Sequence, residues 1–124
     1  MARNGRRIVT AMSQVLLASA KATLKVTLSA GAVNASSNTS TVTTVAVTAA
    51  SSNGTGPFTY SWGVANQLGS LLVQVSTPAA QTTTFRMSGS ISGDNATGDA
   101  TCTVTDANGL QGVSPICTVN IVRP

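Results

Sequence analysis

The side chains able to do chemistry in this chain are few. Cys102 and Cys117 are its two cysteines, Asp94, Asp99 and Asp106 are its only acids, and histidine is absent. Without histidine there is no Ser-His-Asp or Cys-His relay, and the commonest metal ligand is missing. Glutamate is absent as well, and three scattered aspartates do not compose an acid/base pair. No Gly-Lys-Ser phosphate loop and no dinucleotide fingerprint occurs. The expectation is a chain without catalytic residues, cofactor or metal, and therefore not an enzyme.

Three weaker motifs remain. "DNATGD", Asp94 to Asp99, offers oxygen ligands and a glycine, but no bidentate glutamate follows as a calcium loop requires. It reads as a polar hairpin loop. The triplets "NAS", "NTS", "NGT" and "NAT" match glycosylation acceptors, as chance would give in a chain so rich in Asn, Ser and Thr. In "GPFTYSW", Phe58, Tyr60 and Trp62 hold three of the four aromatic residues at alternate positions. Aromatic faces stack on sugars, so a carbohydrate platform is one reading. The other is core. The three share one strand face, and the opposite parity, Thr59, Ser61 and Gly63, offers a sugar no aromatic surface.

The elements that must position these residues read as strands. Val and Thr are plentiful while Glu is missing, which disfavours exposed helices. "LKVTLSAGAV" alternates Leu24, Val26, Leu28 and Ala30 against polar neighbours. "NASSNTS", Asn34 to Ser40, reads as a polar loop. Val42 to Ala50 reads as a second strand, with Val45, Val47 and Ala49 on one face. Turn residues fill Ser51 to Pro57, and the aromatic strand runs from Phe58 to Val64. "NQLGS" then connects to Leu71–Thr77, where Leu71, Val73 and Val75 alternate. Thr82 to Ser88 places Phe85 and Met87 together, and "GSISGDNATG" reads as a loop. The last two strands set Ala100, Cys102 and Val104, then Cys117, Val119 and Ile121, inward around a "DANG" turn. The predicted core is Phe58, Tyr60, Trp62, Phe85, Cys102, Val104, Cys117 and Val119. If Val104 pairs with Pro115, Cys102 lies opposite Cys117, close enough for a disulfide. Reduced, buried thiols are the preferred expectation.

Only 8% of residues are charged, and the net charge is +4. Five of the seven basic residues, Arg3, Arg6, Arg7, Lys21 and Lys25, fall in the first 25 positions. The segment "MARNGRRIVTAMSQVLLASAKA" has the layout of a secretory signal. Its apolar stretch is interrupted by Thr10, Ser13, Gln14 and Ser19 and is too short to span a membrane. Residues 1–23 are expected to be a retained docking arm, with Arg3, Arg6, Arg7, Ile8, Met12, Leu16 and Leu17 as its contacts. Three arginines without interleaved aromatics do not make a nucleic-acid site.

The order of motifs resembles bacterial and phage immunoglobulin-like domains, the PKD-like group among them. Val-rich alternation is followed by "GTGPFTYSW", a late "CTVTDANG" and a final Val-rich strand. In that family a tryptophan on the third strand packs mid-sandwich, and Trp62 holds the matching place. "TVTDANG", Thr103 to Gly109, matches the penultimate strand and its exit. Two features depart from antibody domains: the second strand has no cysteine, and Ala100 stands where a corner tyrosine would fall. The resemblance covers residues 24–122 and implies an all-β immunoglobulin-like β-sandwich of about seven strands over residues 24–124, preceded by the arm.

A basic arm before a Thr/Ala/Ser-rich immunoglobulin-like body also resembles small accessory proteins of tailed-phage particles. That likeness implies a virion location, a multi-copy assembly with other virion structural proteins as partners, and a role in capsid decoration or the tail. The alternative is a secreted bacterial adhesion or carbohydrate-binding module, and a host-surface glycan stays open as a partner.

Overall fold

The computed structural model describes residues Thr23–Pro124. Its centre is the strand with the strictest alternation. In β9 (Asn95–Thr105), Ala96, Ala100, Cys102 and Val104 are buried, while Thr101, Thr103 and Thr105 face out. β5 (Thr59–Gly69) pairs antiparallel along one side of β9. β10 (Gln111–Val113) and β11 (Cys117–Val122) share the other side end to end, and β2 (Ala32–Ser36) runs parallel to β11.

The facing layer is built on a two-strand ribbon. β3 (Val42–Thr43) and β4 (Val47–Ser51) pair with β8 (Phe85–Met87) and β7 (Thr82–Thr83) respectively. β1 (Val26–Leu28) pairs with β4, and β6 (Gln74–Val75) with β8. The eleven short strands thus trace seven passes of the chain through two layers.

The interior is small-residue packing around one aromatic pair. Trp62 comes from β5 and Phe85 from the opposite layer. Their ring centroids lie 5.9 Å apart at 76°, edge to face, the arrangement that aromatic quadrupoles favour. The Trp62 Nε1–H donates to the Ala80 carbonyl at 2.7 Å, and its backbone N–H to the Pro78 carbonyl at 2.8 Å. The same residue therefore fills the core and ties the loop before β7 to the outer edge of β5. Around it pack Val42, Val47, Met87, Val104, Val119 and Ile121, all buried.

Several sequence expectations are corrected. Leu24–Val33 is not one strand: the chain changes layer, so β1 and β2 lie in different sheets, and the inward parity shifts from Leu28 to Val33. Asn34–Ser36 is strand rather than loop, because β2 draws its partners from the β11 backbone. Val45 does not face the core. The register moves from Val42↔Met87 to Val47↔Thr83, which leaves one extra residue on the first strand. That bulge turns Val45 outward, where it is 70% exposed. "NQLGS" continues β5 through a second bulge at Asn66, whose φ of 52° is a left-handed value that asparagine tolerates. "NATG" opens β9 rather than closing a loop.

The turn after β9 is held by a carboxylate. Buried Asp106 accepts backbone N–H groups from Thr55 at 3.1 Å, Asn108 at 2.9 Å and Leu110 at 2.8 Å. Burial pushes its pKa up, but these donors, with Gly109, outweigh that and hold it below the ordinary carboxylate value. A lowered folded pKa adds stability that is complete above the unfolded value of about 3.9 and lost as pH falls through the folded value. Asp106→Asn is therefore expected to unfold at lower urea than the wild type at pH 7. The gap should narrow as pH falls below about 4. Urea midpoints measured from pH 7 to pH 2 check this, and a gap independent of pH contradicts it.

Candidate interaction edge

Residue types that anchor a strand collect where the described chain begins. Thr23 forms a parallel bridge with Gln111, and the Leu24 N–H donates to the Gln111 carbonyl at 3.0 Å. Asn53 clamps this root from the other layer. Its Oδ1 accepts the Lys25 N–H at 2.8 Å, and its Nδ2 donates to the Thr23 carbonyl at 3.1 Å. Gly112 lies directly under the crossing, where a Cβ would overlap the Leu24 carbonyl oxygen. Beyond Leu24 the chain leaves β10 for β4.

That departure opens a groove of about 840 Å³ between β1 and the end of β10, lined by Lys25, Val26, Asn53, Val113, Ser114 and Pro115 among others. Among the described residues, both its walls are strand edges without a ladder partner on the groove side. In β1 the bonds to the second layer fall on alternate residues: Ser52 N–H to Lys25 O, and Ser29 N–H to Thr48 O. The backbone groups of Val26 and Leu28 therefore point away from β4. On β10, the Ser114 N–H donates to Cys102 O, so Val113 points its backbone outward. Pro115 has no N–H to offer. Val113, 61% exposed, is the open apolar side chain of this wall, and Thr23, Lys25, Asn53 and Ser114 make the rest of the lining largely polar. Lys25 is the sole charged side chain lining the groove among the described residues.

The expected core residues fall as follows. Trp62, Phe85, Cys102, Val104, Cys117 and Val119 are buried, and Phe58 and Tyr60 are half-buried against the same cluster. Thr59, Ser61 and Gly63 face solvent, so the outer face of this strand carries no aromatic ring. The expected arm contacts Arg3, Arg6, Arg7, Ile8, Met12, Leu16 and Leu17 lie outside the described residues.

Cys102 and Cys117 are free and buried. The pairing that would set them opposite each other is not formed. Val104 pairs with Gly112 rather than Pro115, because the turn after β9 closes at Thr105↔Gln111, and Cys117 pairs with Ala100. Burial pushes both thiols up, and a hydrogen bond from the Ser61 backbone offsets part of this at Cys102.

The aspartates are structural. Asp94 accepts the Ile91 N–H at 2.8 Å and the Ser70 hydroxyl at 2.8 Å. These bonds, with Arg123 nearby, hold its carboxyl below the usual range. Asp99 accepts from Asn66 Nδ2 at 3.0 Å. No group of acidic, Cys or His side chains among the described residues could hold a metal ion.

Asn53 and Gly112 were not singled out by sequence. Asn53 belongs to the "NGT" triplet, whose Asn-Gly pair gives only a turn signal. The task of Gly112 depends on a strand that crosses it from far away in the chain.

A five-stranded sheet facing a layer of two three-stranded sheets, a mid-core tryptophan and a first strand split between layers define the architecture. It is similar to the solution structure of the PKD domain of human KIAA0319, with TM-score 0.53 and 17% identity, over 83% of this chain and 87% of that one. The fold is an immunoglobulin-like β-sandwich. Two further solved structures align at 17% identity. One is a nucleoside hydrolase-related protein of Saccharophagus degradans associated with carbohydrate metabolism, with TM-score 0.47 over 77% of this chain and 22% of that one. The other is the titin M3 domain, with TM-score 0.41 over 82% of this chain and 98% of that one. The chain thus spans about a fifth of the Saccharophagus protein. No protein-family model and no curated protein sequence matches the chain.

The crossing at Gly112 is testable by substitution. Gly112→Ala forces Leu24 off β10 and is expected to cost about 1–3 kcal/mol, as overpacking does. Gly63→Ala, where an added Cβ meets nothing within 4 Å, should be neutral or slightly stabilising. Urea unfolding of the two variants checks this, and equal stabilities contradict the crossing.

Proposed function

We propose that this chain is a non-enzymatic structural protein of a bacteriophage particle, a capsid-decoration or tail accessory protein. It docks through its N-terminal arm and displays the immunoglobulin-like domain. The observation that carries this reading is the division of charge and edge along the chain. Across Thr23–Pro124, three cations (Lys25, Arg86, Arg123) balance three aspartates, so the whole net charge of +4 rests on Arg3, Arg6, Arg7 and Lys21. The neutral body suits a crowded assembly better than free diffusion, where solubility leans on charge. The cationic segment joins the body at a clamped root beside two open strand edges, and open edges are where protein partners add strands. Both thiols are buried, and Asp94, Asp99 and Asp106 are engaged in hydrogen bonds within the fold.

Fractionation of phage particles induced from the genome that carries the gene tests the proposal. The chain should band with intact particles in a density gradient, in many copies. Replacing Arg3, Arg6 and Arg7 by Ala, together with Leu16 and Leu17 by Ser, should move it to the soluble fraction with its fold unchanged. A chain found only free or in the culture medium overturns the proposal. Binding to a glycan array by that free protein would point instead to a secreted carbohydrate-binding module.

A further inference from the structure

The groove between β1 and β10 is larger than its role as an anchor for Thr23 and Leu24 requires. It has the parts of a strand-acceptor site. Among the described residues, the backbone groups of Val26 on one wall and Val113 on the other have no ladder partner on the groove side, and those of Leu28 continue the same edge of β1. Leu24, Val26 and exposed Val113 supply the apolar part of its lining, beside Thr23, Asn53 and Ser114. Neither wall carries a carboxylate, and Lys25 disfavours a basic occupant. An added strand here should be uncharged, extended and rich in medium-sized apolar side chains.

We propose that this groove receives the N-terminal segment of a second copy of the chain, laid as an extra strand along the open edge of β1. The 22 residues that precede Thr23 end at the rim of the groove. Within them, Ile8–Ala20 is uncharged and carries Ile8, Val9, Met12, Val15, Leu16 and Leu17, which matches what the groove accepts. Arg3, Arg6 and Arg7 would lie beyond it, away from Lys25.

Direction decides between the chain's own segment and a neighbour's. Thr23 and Leu24 run parallel to β10, with the groove ahead of them. A copy that filled its own groove would have to reverse direction just before Thr23. Two-residue hairpin turns, whose central residues take positive φ, draw on Gly, Asn or Asp, and none of these occurs from Ile8 to Ala30. A neighbour's segment needs no such reversal. Residues 18–22 can bridge about 16 Å between copies at ~3.3 Å per extended residue. Donation of this kind uses different surfaces on donor and acceptor. It therefore propagates as a ring or an open string of copies, or closes as a reciprocal pair. It is a property of the chain alone and stands whether or not the particle role holds.

Cross-linking in the full-length chain tests it. Leu16→Cys and Val113→Cys are introduced together, with each single variant as control, and the protein is oxidised briefly under native conditions. Buried Cys102 and Cys117 stay out of reach. The double variant should give a covalent dimer or a ladder of higher species well beyond either single variant, increasing with protein concentration. In the unmodified chain, hydrogen exchange at Val26, Leu28 and Val113 should slow at least about tenfold from low to high micromolar concentration, as occupancy of a bimolecular site requires. A cross-link confined to monomers overturns the proposal by placing the segment in its own groove. So does exchange that is independent of concentration, which removes the second copy.

Discussion

One ring from each sheet meets in the middle of this molecule, and most of the fold is arranged around that contact. Beyond Leu24 and Ile121 the rest of the core is Val, Ala, Cys and Met. Trp62 and Phe85 close the distance edge to face. Because Trp62 also bonds to Pro78 and Ala80, the contact fixes the loop that leads into β7 and so the placement of Phe85 itself. Strand alternation then sorts much of the rest: in β9 and β11 the inward positions are small or apolar and the outward ones mostly Thr and Asn.

Such a body buries its fold-specific chemistry and leaves an almost featureless surface. What breaks the uniformity is the first pass of the chain. It crosses β10 at Gly112, joins the other layer as β1, then returns to the first layer as β2. A strand that serves both sheets leaves both partly unpaired, and the groove beside Thr23 follows from that. The fold thus places two of its strand edges, those of β1 and β10, at the root of the segment that carries the whole net charge.

Much of the fold was legible because alternation is a side-chain signal. Cys102, Val104, Cys117 and Val119 were placed inward on pattern alone, and Trp62 stood out among four aromatic residues. Strands held mainly by backbone pairing were not legible. Asn34–Ser36 and Asn95–Gly98 have loop-like composition, yet each lies along a neighbouring strand that satisfies its backbone. The bulges escaped for a related reason. One added residue within Val42–Ala50 reverses the facing of Val45 without changing the Val/Thr/Ala composition. The cysteine register failed because the turn after β9 closes early, at Thr105↔Gln111, which sets Ser114 rather than Cys117 beside Cys102. At the candidate site, Asn53 and Gly112 act on segments distant in sequence, so nothing local marks them.

The dependence of the sandwich on its aromatic contact can be measured directly by a double-mutant cycle. Trp62→Leu, Phe85→Leu and the double variant would be unfolded in urea alongside the wild type. A coupling energy of about 0.5–1.5 kcal/mol between the two positions is expected for an edge-to-face pair. Single-variant losses that simply add, to within about 0.3 kcal/mol, would mean that the two rings stabilise their own sheets independently and do not pin the layers together.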